Sequence, residues 1–419
     1  MSITTLMLGW EFPPFISGGL GTACYGLTKA MSRRGMQVTF ILPREKPIRL
    51  AGGSSDVGKA LAREMPNVRI RAVASHLSAY GKYGPQPVRP VTAAVEAELA
   101  DEPPTGEAAT YGPSLEKEVF RYAQRVMRIA QRETFDVIHA HDWMTFPAGV
   151  AVAASTGKPL IVQVHSTEFD RSGEHVNQFV YDIERQGMHA AARVITVSHY
   201  TRNVVVSRYA VPPTKVDVVY NGVEQATGSP PLPHSAWPTR SEKVVLFVGR
   251  ITMQKGPEYF LRAAKRVLEK LRNVKFIMAG DGDRLHGIIE MAACLGIGHR
   301  VFFTRFLRGG DVQRVYQMAD LYVMPSVSEP FGIAPLEALQ NDVPVLISKQ
   351  SGLAETFRNA LKVDFWDIDE MANKVVAVLR HPPLSEMLRV NGRRETLRFR
   401  WEDSAAKVND IYRRVLHVA

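Results

Sequence analysis

Cysteine is almost absent from this sequence. Cys24 and Cys294 are its two cysteines in 419 residues. A disulfide-stapled domain needs several paired cysteines, and a structural zinc site usually takes four cysteine or histidine ligands. Two cysteines build neither framework, so we expect a chain that folds around its own core in a reducing compartment, the cytoplasm.

Long apolar runs are missing as well. No stretch reaches the ~20 apolar residues that a membrane-spanning helix needs. Residues Met1 to Trp10 have no basic start and too short an apolar run for a secretory signal, so none is expected. Apolar residues make up 45% and charged residues 22% of the chain, values that are typical of a soluble globular protein.

Negative charge is in short supply. The 52 Lys and Arg outnumber the 42 Asp and Glu, which gives a net charge of +10 with histidine neutral. Such a balance favours an anionic partner, namely a nucleotide sugar, an acidic membrane surface or nucleic acid. The sequence has no motif that would place a helix in a groove of DNA, no zinc finger and no RNA-binding motif. We therefore expect no nucleic-acid partner.

The most informative stretch runs from Ser328 to Ala338. An apolar strand before it ends at Pro325, and a short helix follows. Gly332 lets the backbone approach a ligand, and the helix start offers free N–H groups that favour phosphate. Glu329 and Glu337 would border the same pocket and hold hydroxyls. The pattern predicts a site for a sugar-bearing diphosphate; the alternative is that both carboxylates are solvated surface groups.

A cationic motif lies earlier in the chain. A strand from Val244 to Val248 is followed by Gly249 and Arg250, and then by Lys255 before a helix begins at Pro257. Two cations at the carboxyl end of a strand, beside a helix start, suit a pyrophosphate and stabilise negative charge on a leaving group.

These two motifs together resemble those of the retaining GT-B glycosyltransferases of family 4/family 5 type, the glycogen/starch synthase and sucrose synthase group. The resemblance is carried by Gly249-Arg250, Lys255-Gly256, Glu329 and Glu337. It extends over nearly the whole chain. It implies an α/β protein with the GT-B fold, in which two Rossmann-like, doubly wound domains face each other across a cleft.

The length of the chain also favours two domains. A proline-rich stretch over 228–240 predicts a semi-rigid linker between them. We therefore expect an acceptor-side domain at 1–225 and a nucleotide-sugar-binding domain at 226–400. By the resemblance, a last helix at about 401–419 packs back on the first domain.

The resemblance also implies roles for residues of the second domain. Arg250 and Lys255 would neutralise the departing nucleoside diphosphate. Glu329 would hold hydroxyls of the transferred sugar, and Glu337 would bind the ribose hydroxyls. Three consecutive backbone N–H groups would add phosphate and sugar contacts: those of Phe331, Gly332 and Ile333.

The first domain opens with a βαβ unit whose turn carries Gly18-Gly19-Leu20-Gly21. This is not the G-x-G-x-x-G spacing of dinucleotide binders, which disfavours a nicotinamide cofactor. By resemblance, Gly19 and Gly21 lie against the donor phosphates and the transferred sugar; the alternative is a loop that only permits a tight turn. Bacterial glycogen synthases usually carry Lys-Thr where this chain has Ile16-Ser17, so one phosphate-side cation of that ADP-glucose subgroup is missing.

Histidines follow two strands of the first domain. His139, His141 and Asp142 form one group, and His165 ends the strand that begins at Pro159. Metal ligation by the first group is an alternative, whereas the resemblance implies chemistry without a metal. It places Asp142 at the cleft and His165 beside the transferred sugar.

Three further elements are predicted. The region from 46 to 114 has one strand, Val68 to Ala74, and is interpreted as a cover on the acceptor side. Ser198 would cap a helix over Thr201–Tyr209, and another helix would span Ser385–Arg400.

A helix from Ser114 to Arg132 carries arginines at helical spacing opposite an apolar face. They are Arg121, Arg125, Arg128 and Arg132. The arginine stripe would either meet an acidic membrane surface or, as is more usual, form a solvated face.

These expectations converge on a hexosyltransferase. It would move a sugar, most simply glucose, from ADP-glucose or UDP-glucose to a glycan acceptor with retention of configuration. No cofactor and no metal is expected, because cations and helix ends take the metal's place. Two alternatives stay open: a family 4 transferase for a lipid-linked, exopolysaccharide or small-molecule acceptor, with a weak contact to a membrane surface, and a nucleotide-sugar epimerase of GT-B fold.

Overall fold

The computed structural model of the chain describes residues 3–12, 18–44, 63–75, 115–224 and 242–417. Within these ranges the chain forms two sheets. The strands of the first sheet are β1 (Thr4–Leu8), β2 (Gln37–Arg44), β3 (Val68–Ala74), β4 (Val137–His141), β5 (Leu160–Val164), β6 (Arg193–Thr196) and β7 (Val216–Val218). Those of the second sheet are β8 (Lys243–Val248), β9 (Val274–Ala279), β10 (Val301–Arg305), β11 (Leu321–Met324), β12 (Val345–Ser348) and β13 (Leu361–Val363).

Helices connect these strands. In the first half they are α1 (Gly19–Arg33), α2 (Leu115–Ala130), α3 (Phe146–Thr156), α4 (Glu168–Ser172), α5 (Gln178–Ala190) and α6 (His199–Tyr209). In the second half they are α7 (Pro257–Lys270), α8 (Leu285–Cys294), α9 (Gly310–Gln317), α10 (Ile333–Gln340), α11 (Gly352–Thr356), α12 (Ile368–Arg380), α13 (Pro382–Thr396) and α14 (Trp401–Leu416). Single 3-10 turns lie at Trp143–Thr145, Pro213–Lys215, Met253–Lys255 and Gly298–Arg300.

Both sheets are parallel and doubly wound. The order of the first is β3-β2-β1-β4-β5-β6-β7, and that of the second is β10-β9-β8-β11-β12-β13. In each, the opening strand lies inside the sheet, with the chain winding first to one side of it and then to the other. Ligands of such sheets bind beyond the carboxyl ends of the strands at this reversal. The topology therefore points to the ends of β1 and β4 in one sheet and of β8 and β11 in the other.

Each sheet is covered on both faces, which explains its nearly continuous apolar strands. Successive residues of a strand point to opposite faces. Leu6 and Leu8 therefore belong to one core and Met7 to another. In the second sheet Val245 faces one core and Leu246 the other. The predicted α/β fold with two doubly wound sheets is confirmed.

The last helix returns to the first sheet. Trp401, Val408 and Tyr412 of α14 are buried in the same core as Met7. Trp401 lies so close to α1 that a Cβ on Gly26 would come within 2.2 Å of its ring. The end of the chain thus completes a core that begins with the first strand.

The structure tests several local predictions directly. The strand Val68–Ala74 is confirmed as β3. Helix α2 buries Val119, Tyr122 and Val126 and exposes its arginines, as predicted from its spacing. The linker at 228–240 and most of the cover at 46–114 lie outside the described residues, and the division at 225/226 stays a prediction. None of the described helices combines the length and the apolar character needed to cross a membrane.

Candidate active site

A cavity of about 890 Å³ opens between the carboxyl ends of the two sheets. Its wall on one side includes Gly19 and His165, which follow β1 and β5. Its wall on the other side includes Arg250 and Glu329, which follow β8 and β11. Both walls therefore lie at the ends where doubly wound sheets bind ligands.

Ten of the eleven residues predicted for the site line this cavity. They are Gly19, Asp142, His165, Arg250, Lys255, Glu329, Phe331, Gly332, Ile333 and Glu337. The eleventh, Gly21, is buried in the first turn of α1 and does not line the cavity. Its N–H donates to the Glu11 carboxylate at 3.1 Å, so this glycine supports the loop rather than facing the cavity.

Lys255 and Glu329 form an ion pair inside the cavity. Lys255 Nζ lies 2.6 Å from Glu329 Oε2, and the Ser326 hydroxyl donates to the same oxygen at 3.2 Å. Glu329 is 8% exposed, and a carboxylate with so little access to water needs such partners. The cation predicted for phosphate and the carboxylate predicted for sugar hydroxyls are thus neighbours that hold each other.

Glycines allow the loops around this pair to approach closely. Gly256 has φ +65°, and a Cβ there would lie 2.1 Å from Pro325 O, at the end of the strand that leads to Glu329. Gly280 has φ +153°, and a Cβ there would lie 1.8 Å from Gly249 O. Both positions exclude a side chain by space and by backbone conformation.

The start of α10 faces the cavity with a glycine before it. Gly332 precedes the helix at φ +107°, and Pro335 lies in its first turn. Glu337 is partly buried, and its burial raises the pKa of its carboxyl. The Tyr316 hydroxyl donates to Glu337 Oε2 at 3.1 Å. This bond fixes one oxygen of the Glu337 carboxyl group at the wall of the cavity.

His165 is a neutral imidazole on the opposite wall. Burial lowers its pKa to about 3. Its ring Nε2 lies 2.9 Å from His141 Nδ1, and the rings of His141 and His139 stack at 4.4 Å. Burial also lowers the pKa of His139 to about 3 and that of His141 well below 6.5. Three adjacent imidazoles are therefore all uncharged near neutral pH.

The tautomer of His165 follows from the partners of His141. Each neutral ring has one N–H, and one of the two rings must donate in the bond between them. His141 Nε2 is buried with no partner among the described residues. A buried N–H without an acceptor is more costly than an unused lone pair. We therefore assign the proton to His141 Nδ1, which leaves the N–H of His165 on Nδ1.

Asp142 holds the backbone of His165 in place. It adopts φ +59°, which is uncommon for a residue with a side chain. Its Oδ1 accepts the His165 N–H at 2.7 Å. Burial raises the pKa of its carboxyl to about 7, against the lowering effect of that hydrogen bond. Backbone strain and a shifted carboxyl at one position are typical of functional sites.

Sequence reasoning missed several polar groups of this cavity, among them Glu11, Ser166 and Thr252. Glu11 is buried beside the glycine loop, 3% exposed, and lines the cavity. The hydroxyls of Ser166 and Thr252 line it too, and both are buried without a hydrogen-bond partner among the described residues. Buried hydroxyls of this kind are natural contacts for a sugar or phosphate. Neither residue belongs to a motif, so no local signal marked them.

Direct contacts join the two walls beside the cavity. The Ser328 hydroxyl donates to Asp170 at 2.5 Å, and the Ser198 hydroxyl donates to Pro330 O at 2.6 Å. The Glu355 carboxylate accepts the N–H groups of His199 and Tyr200 at 2.8 and 2.9 Å. Since Ser328 and Pro330 flank Glu329, the loop that carries this carboxylate is anchored on the first half of the chain.

The metal site of His139, His141 and Asp142 considered from the sequence does not form. Among the described residues, the group of three ligating side chains within mutual reach is Cys24, His141 and His165. Asp142 is turned instead to the backbone of His165.

Two family models match the chain. The model described as "Glycosyltransferase Family 4" matches residues 85–226, and that described as "Glycosyl transferases group 1" matches residues 235–395. Curated relatives extend over almost its whole length. An uncharacterized glycosyltransferase of Methanocaldococcus jannaschii is 28% identical over 97% of each chain. A glycogen synthase of Mycobacterium tuberculosis is 23% identical over 97% of this chain and 94% of its own.

Solved structures share the fold. The sucrose-phosphate synthase of Thermosynechococcus elongatus superposes with a TM-score of 0.76 at 19% identity, over 99% of both chains. HepE of Anabaena, solved in complex with UDP-glucose, superposes with a TM-score of 0.68 at 17% identity, over 98% of this chain and 99% of its own.

Proposed function

We propose, for a chain that belongs to the GT-B glycosyltransferases of family 4/family 5 type and acts on nucleotide sugars, that it transfers a glucosyl group from UDP-glucose or ADP-glucose to a glucan. The transfer retains the anomeric configuration and needs no metal. One observation carries the proposal: two cations and a fixed carboxylate on one wall of the cavity face a neutral histidine on the other.

The second half of the chain would bind the donor. Arg250 and Lys255 follow β8, and the N–H groups at the start of α10 add a positive dipole end. Preorganised positive groups stabilise the charge that develops on a leaving diphosphate, as a metal does in other transferases. Glu337, fixed by Tyr316, is placed for the ribose hydroxyls, whose donation a carboxylate accepts.

Donor binding would exchange the partners of Lys255. Its Nζ is held by Glu329, and a diphosphate with more than one negative charge competes for it. Glu329 then accepts hydrogen bonds from hydroxyls of the transferred sugar. In this way the same carboxylate that holds the lysine becomes available where the sugar lies.

The neutral state of His165 suits the reaction. Cleavage of a glycosidic bond passes through an oxocarbenium-like state, in which the sugar becomes cationic. A protonated imidazole beside it would oppose this charge, whereas a neutral one donates a hydrogen bond to a sugar hydroxyl without repulsion. The acceptor hydroxyl would attack from the face that the diphosphate leaves, which keeps the configuration.

Donor turnover tests the proposal. The protein is incubated in EDTA with UDP-glucose, ADP-glucose or GDP-mannose, with and without glycogen or a maltooligosaccharide, and release of nucleoside diphosphate is measured. We expect release that depends on glucan with one glucose donor and an α-linked product by NMR. Loss of all turnover in EDTA that Mg²⁺ restores would overturn metal independence.

Matched arginine variants tie the turnover to the cavity. Arg250→Ala is expected to lower it by about 10²-fold or more. Arg266→Ala, on the exposed outer side of α7, serves as the control and leaves it unchanged. Equal activities of the two variants would refute the assigned role. A donor whose stereochemistry changes without any acceptor would identify an epimerase instead.

A further inference from the structure

Three ligating side chains meet beneath the cavity. Cys24, His141 and His165 each bring one potential metal-binding atom to a point where all three lie within 4.8 Å of one another. They come from α1, from the end of β4 and from the residue after β5. Cys24 and His141 are fully buried, whereas His165 lines the cavity. The cluster is therefore held by the rigid centre of the first sheet and is reached from the cavity.

The spacing of the two imidazoles is close to that of a metal site. His141 Nδ1 and His165 Nε2 are 2.9 Å apart. In a tetrahedral zinc site, with Zn–N of about 2.0–2.1 Å, two ligand nitrogens lie about 3.4 Å apart. An ion between the rings thus needs them to separate by about half an ångström. Small rotations of two side chains supply such a change without moving the sheet.

The charges around Cys24 favour a cation. The carboxylates of Asp142 and Glu11 are near enough to the Cys24 sulfur to act on it electrostatically. Within the part of the chain that the structure describes, no lysine or arginine is among the groups that act on this thiol. One thiolate and two imidazoles are a soft ligand set that selects Zn²⁺ over Mg²⁺. Three protein ligands leave a fourth position for water, as in zinc sites with an open coordination position.

We infer that Cys24, His141 and His165 form a binding site for one thiophilic divalent cation such as Zn²⁺, and that its occupation inhibits glycosyl transfer. Binding releases one proton, from the Cys24 thiol. The proton between the two rings moves from His141 Nδ1 to His141 Nε2, so His141 keeps one N–H. Because Nε2 is buried without a partner among the described residues, the bonds to the ion must outweigh the cost of this tautomer. The second part of the inference, that the bound cation inhibits transfer, rests on the proposed function. The ion takes the His165 ring away from the sugar and sets a positive charge beside a centre that becomes cationic.

Cobalt reports on the site directly. The full-length protein is freed of metal with a chelator, exchanged into chelator-free buffer and titrated with Co²⁺, whose bond to a thiolate gives a charge-transfer band in the near ultraviolet. We expect one equivalent of Co²⁺ to saturate this band and Zn²⁺ to displace it. Absence of the band at several equivalents overturns the site.

Two cysteine variants locate the ligand. Cys24→Ser is expected to remove the band. Cys294→Ser, at the exposed cysteine on α8, is the matched control and should keep it. A band that follows Cys294 overturns the assignment. Cys24→Ala is prepared in parallel, and circular dichroism of each metal-free variant establishes that a lost band reflects a lost ligand.

Turnover separates this inference from the proposed function. We expect micromolar Zn²⁺ to inhibit the wild type at least tenfold more strongly than Cys24→Ser. The band without any donor turnover under every condition refutes the proposed function and leaves the metal site standing. Turnover without the band refutes the metal site and leaves the proposed function standing. The band together with turnover that Zn²⁺ does not slow overturns the inhibitory role.

Discussion

Lys255 Nζ contacts the Glu329 carboxylate at 2.6 Å across the floor of the cavity. Both residues were predicted for the site from the sequence, one for phosphate and one for sugar, but not as partners. Glu329 is 8% exposed, so the lysine holds a carboxylate that water barely reaches. Because each charge is neutralised by the other, a lysine and a nearly buried carboxylate can lie side by side in the cavity.

Removing this lysine is expected to impair transfer, and the Glu329 carboxylate that it leaves unpaired should also lower the free energy of unfolding. Lys255→Ala should lower kcat by about 10²- to 10³-fold, since one preorganised charge on the leaving group is lost. The matched control is Lys349→Ala, which removes an exposed lysine paired with Asp364. Turnover of nucleoside diphosphate checks the prediction, and similar kcat values for the two variants would contradict it.

A second prediction concerns the hydrogen bond that fixes Glu337. Tyr316→Phe removes the donor to Glu337 Oε2. We expect the KM for the donor to rise by about 5- to 10-fold, which corresponds to roughly one hydrogen bond of 1–1.5 kcal/mol. Tyr259→Phe, whose ring packs edge-on against Phe365 outside the cavity, is the control. Steady-state kinetics with varied donor separate the two, and an unchanged KM in Tyr316→Phe would count against ribose binding.

Acid should destabilise the protein through its buried histidines. The pKa values of His139 and His165 fall from 6.5 to about 3 in the folded state, and that of His141 falls well below 6.5. The unfolded chain therefore binds more protons between pH 3 and 6.5, and stability decreases as pH falls through this window. Each histidine contributes up to about 1.4 kcal/mol per pH unit.

Urea unfolding at pH 7.5, 6.5 and 5.5 measures this slope. Asp142 acts in the opposite direction, since its pKa is raised to about 7 and its contribution declines as pH rises from about 4 to 7. His139→Gln should reduce the acid-side slope, whereas His299→Gln, at an exposed histidine, should leave it unchanged. The slope is the readout, because the buried substitution also lowers the free energy of unfolding at every pH.

Two helical glycines offer a matched test of packing. A Cβ on Gly26 would meet the Trp401 ring at 2.2 Å, whereas a Cβ on Gly287 would meet nothing within 4 Å. Gly26→Ala should lower the free energy of unfolding by about 1–3 kcal/mol through overpacking. Gly287→Ala should raise it by up to about 1 kcal/mol, because alanine favours helix. Urea denaturation measures the free energy of unfolding of both variants. Equal changes would mean that α1 and α14 move apart at little cost to admit the extra methyl group.

The sequence predicted best those features that are carried by local chemistry. Ser198 was expected to cap a helix, and its hydroxyl accepts the Thr201 N–H at 3.0 Å, although the helix begins two residues earlier than predicted, at His199. The parallel strands could also be predicted from local sequence. A strand covered on both faces is apolar throughout, and a turn with glycine or a cation follows it.

Boundaries set by distant contacts were not readable. The helix predicted over 385–400 spans Pro382–Thr396. Its proline start agrees with the preference for proline in a first turn. Its last turn carries Glu395, whose buried carboxylate accepts the N–H groups of Arg358 and Asn359. The loop that provides those groups lies 36 residues away in sequence.

The site shows the same division. Arg250, Lys255 and Glu329 belong to sequence motifs, and the structure places all three along the cavity. Cys24 and Glu11 were missed because Cys24, on α1, comes near Glu11, Asp142 and His165 only in the folded chain. A pattern read along the chain registers neighbours in sequence, whereas these groups are neighbours across a sheet.

Because α14 packs on the first sheet, the first half of the chain cannot complete its core until the last described helix has been synthesised. The described part of the first half ends at residue 224, yet its core lacks Trp401, Val408 and Tyr412 until the final helix has been made. At a synthesis rate of about 5–20 residues per second, the roughly 180 intervening residues take about 10–40 s. During that time the ribosome carries a first domain with one face of its sheet partly uncovered. The part of the chain that is made first therefore cannot complete its core until α14 has been made.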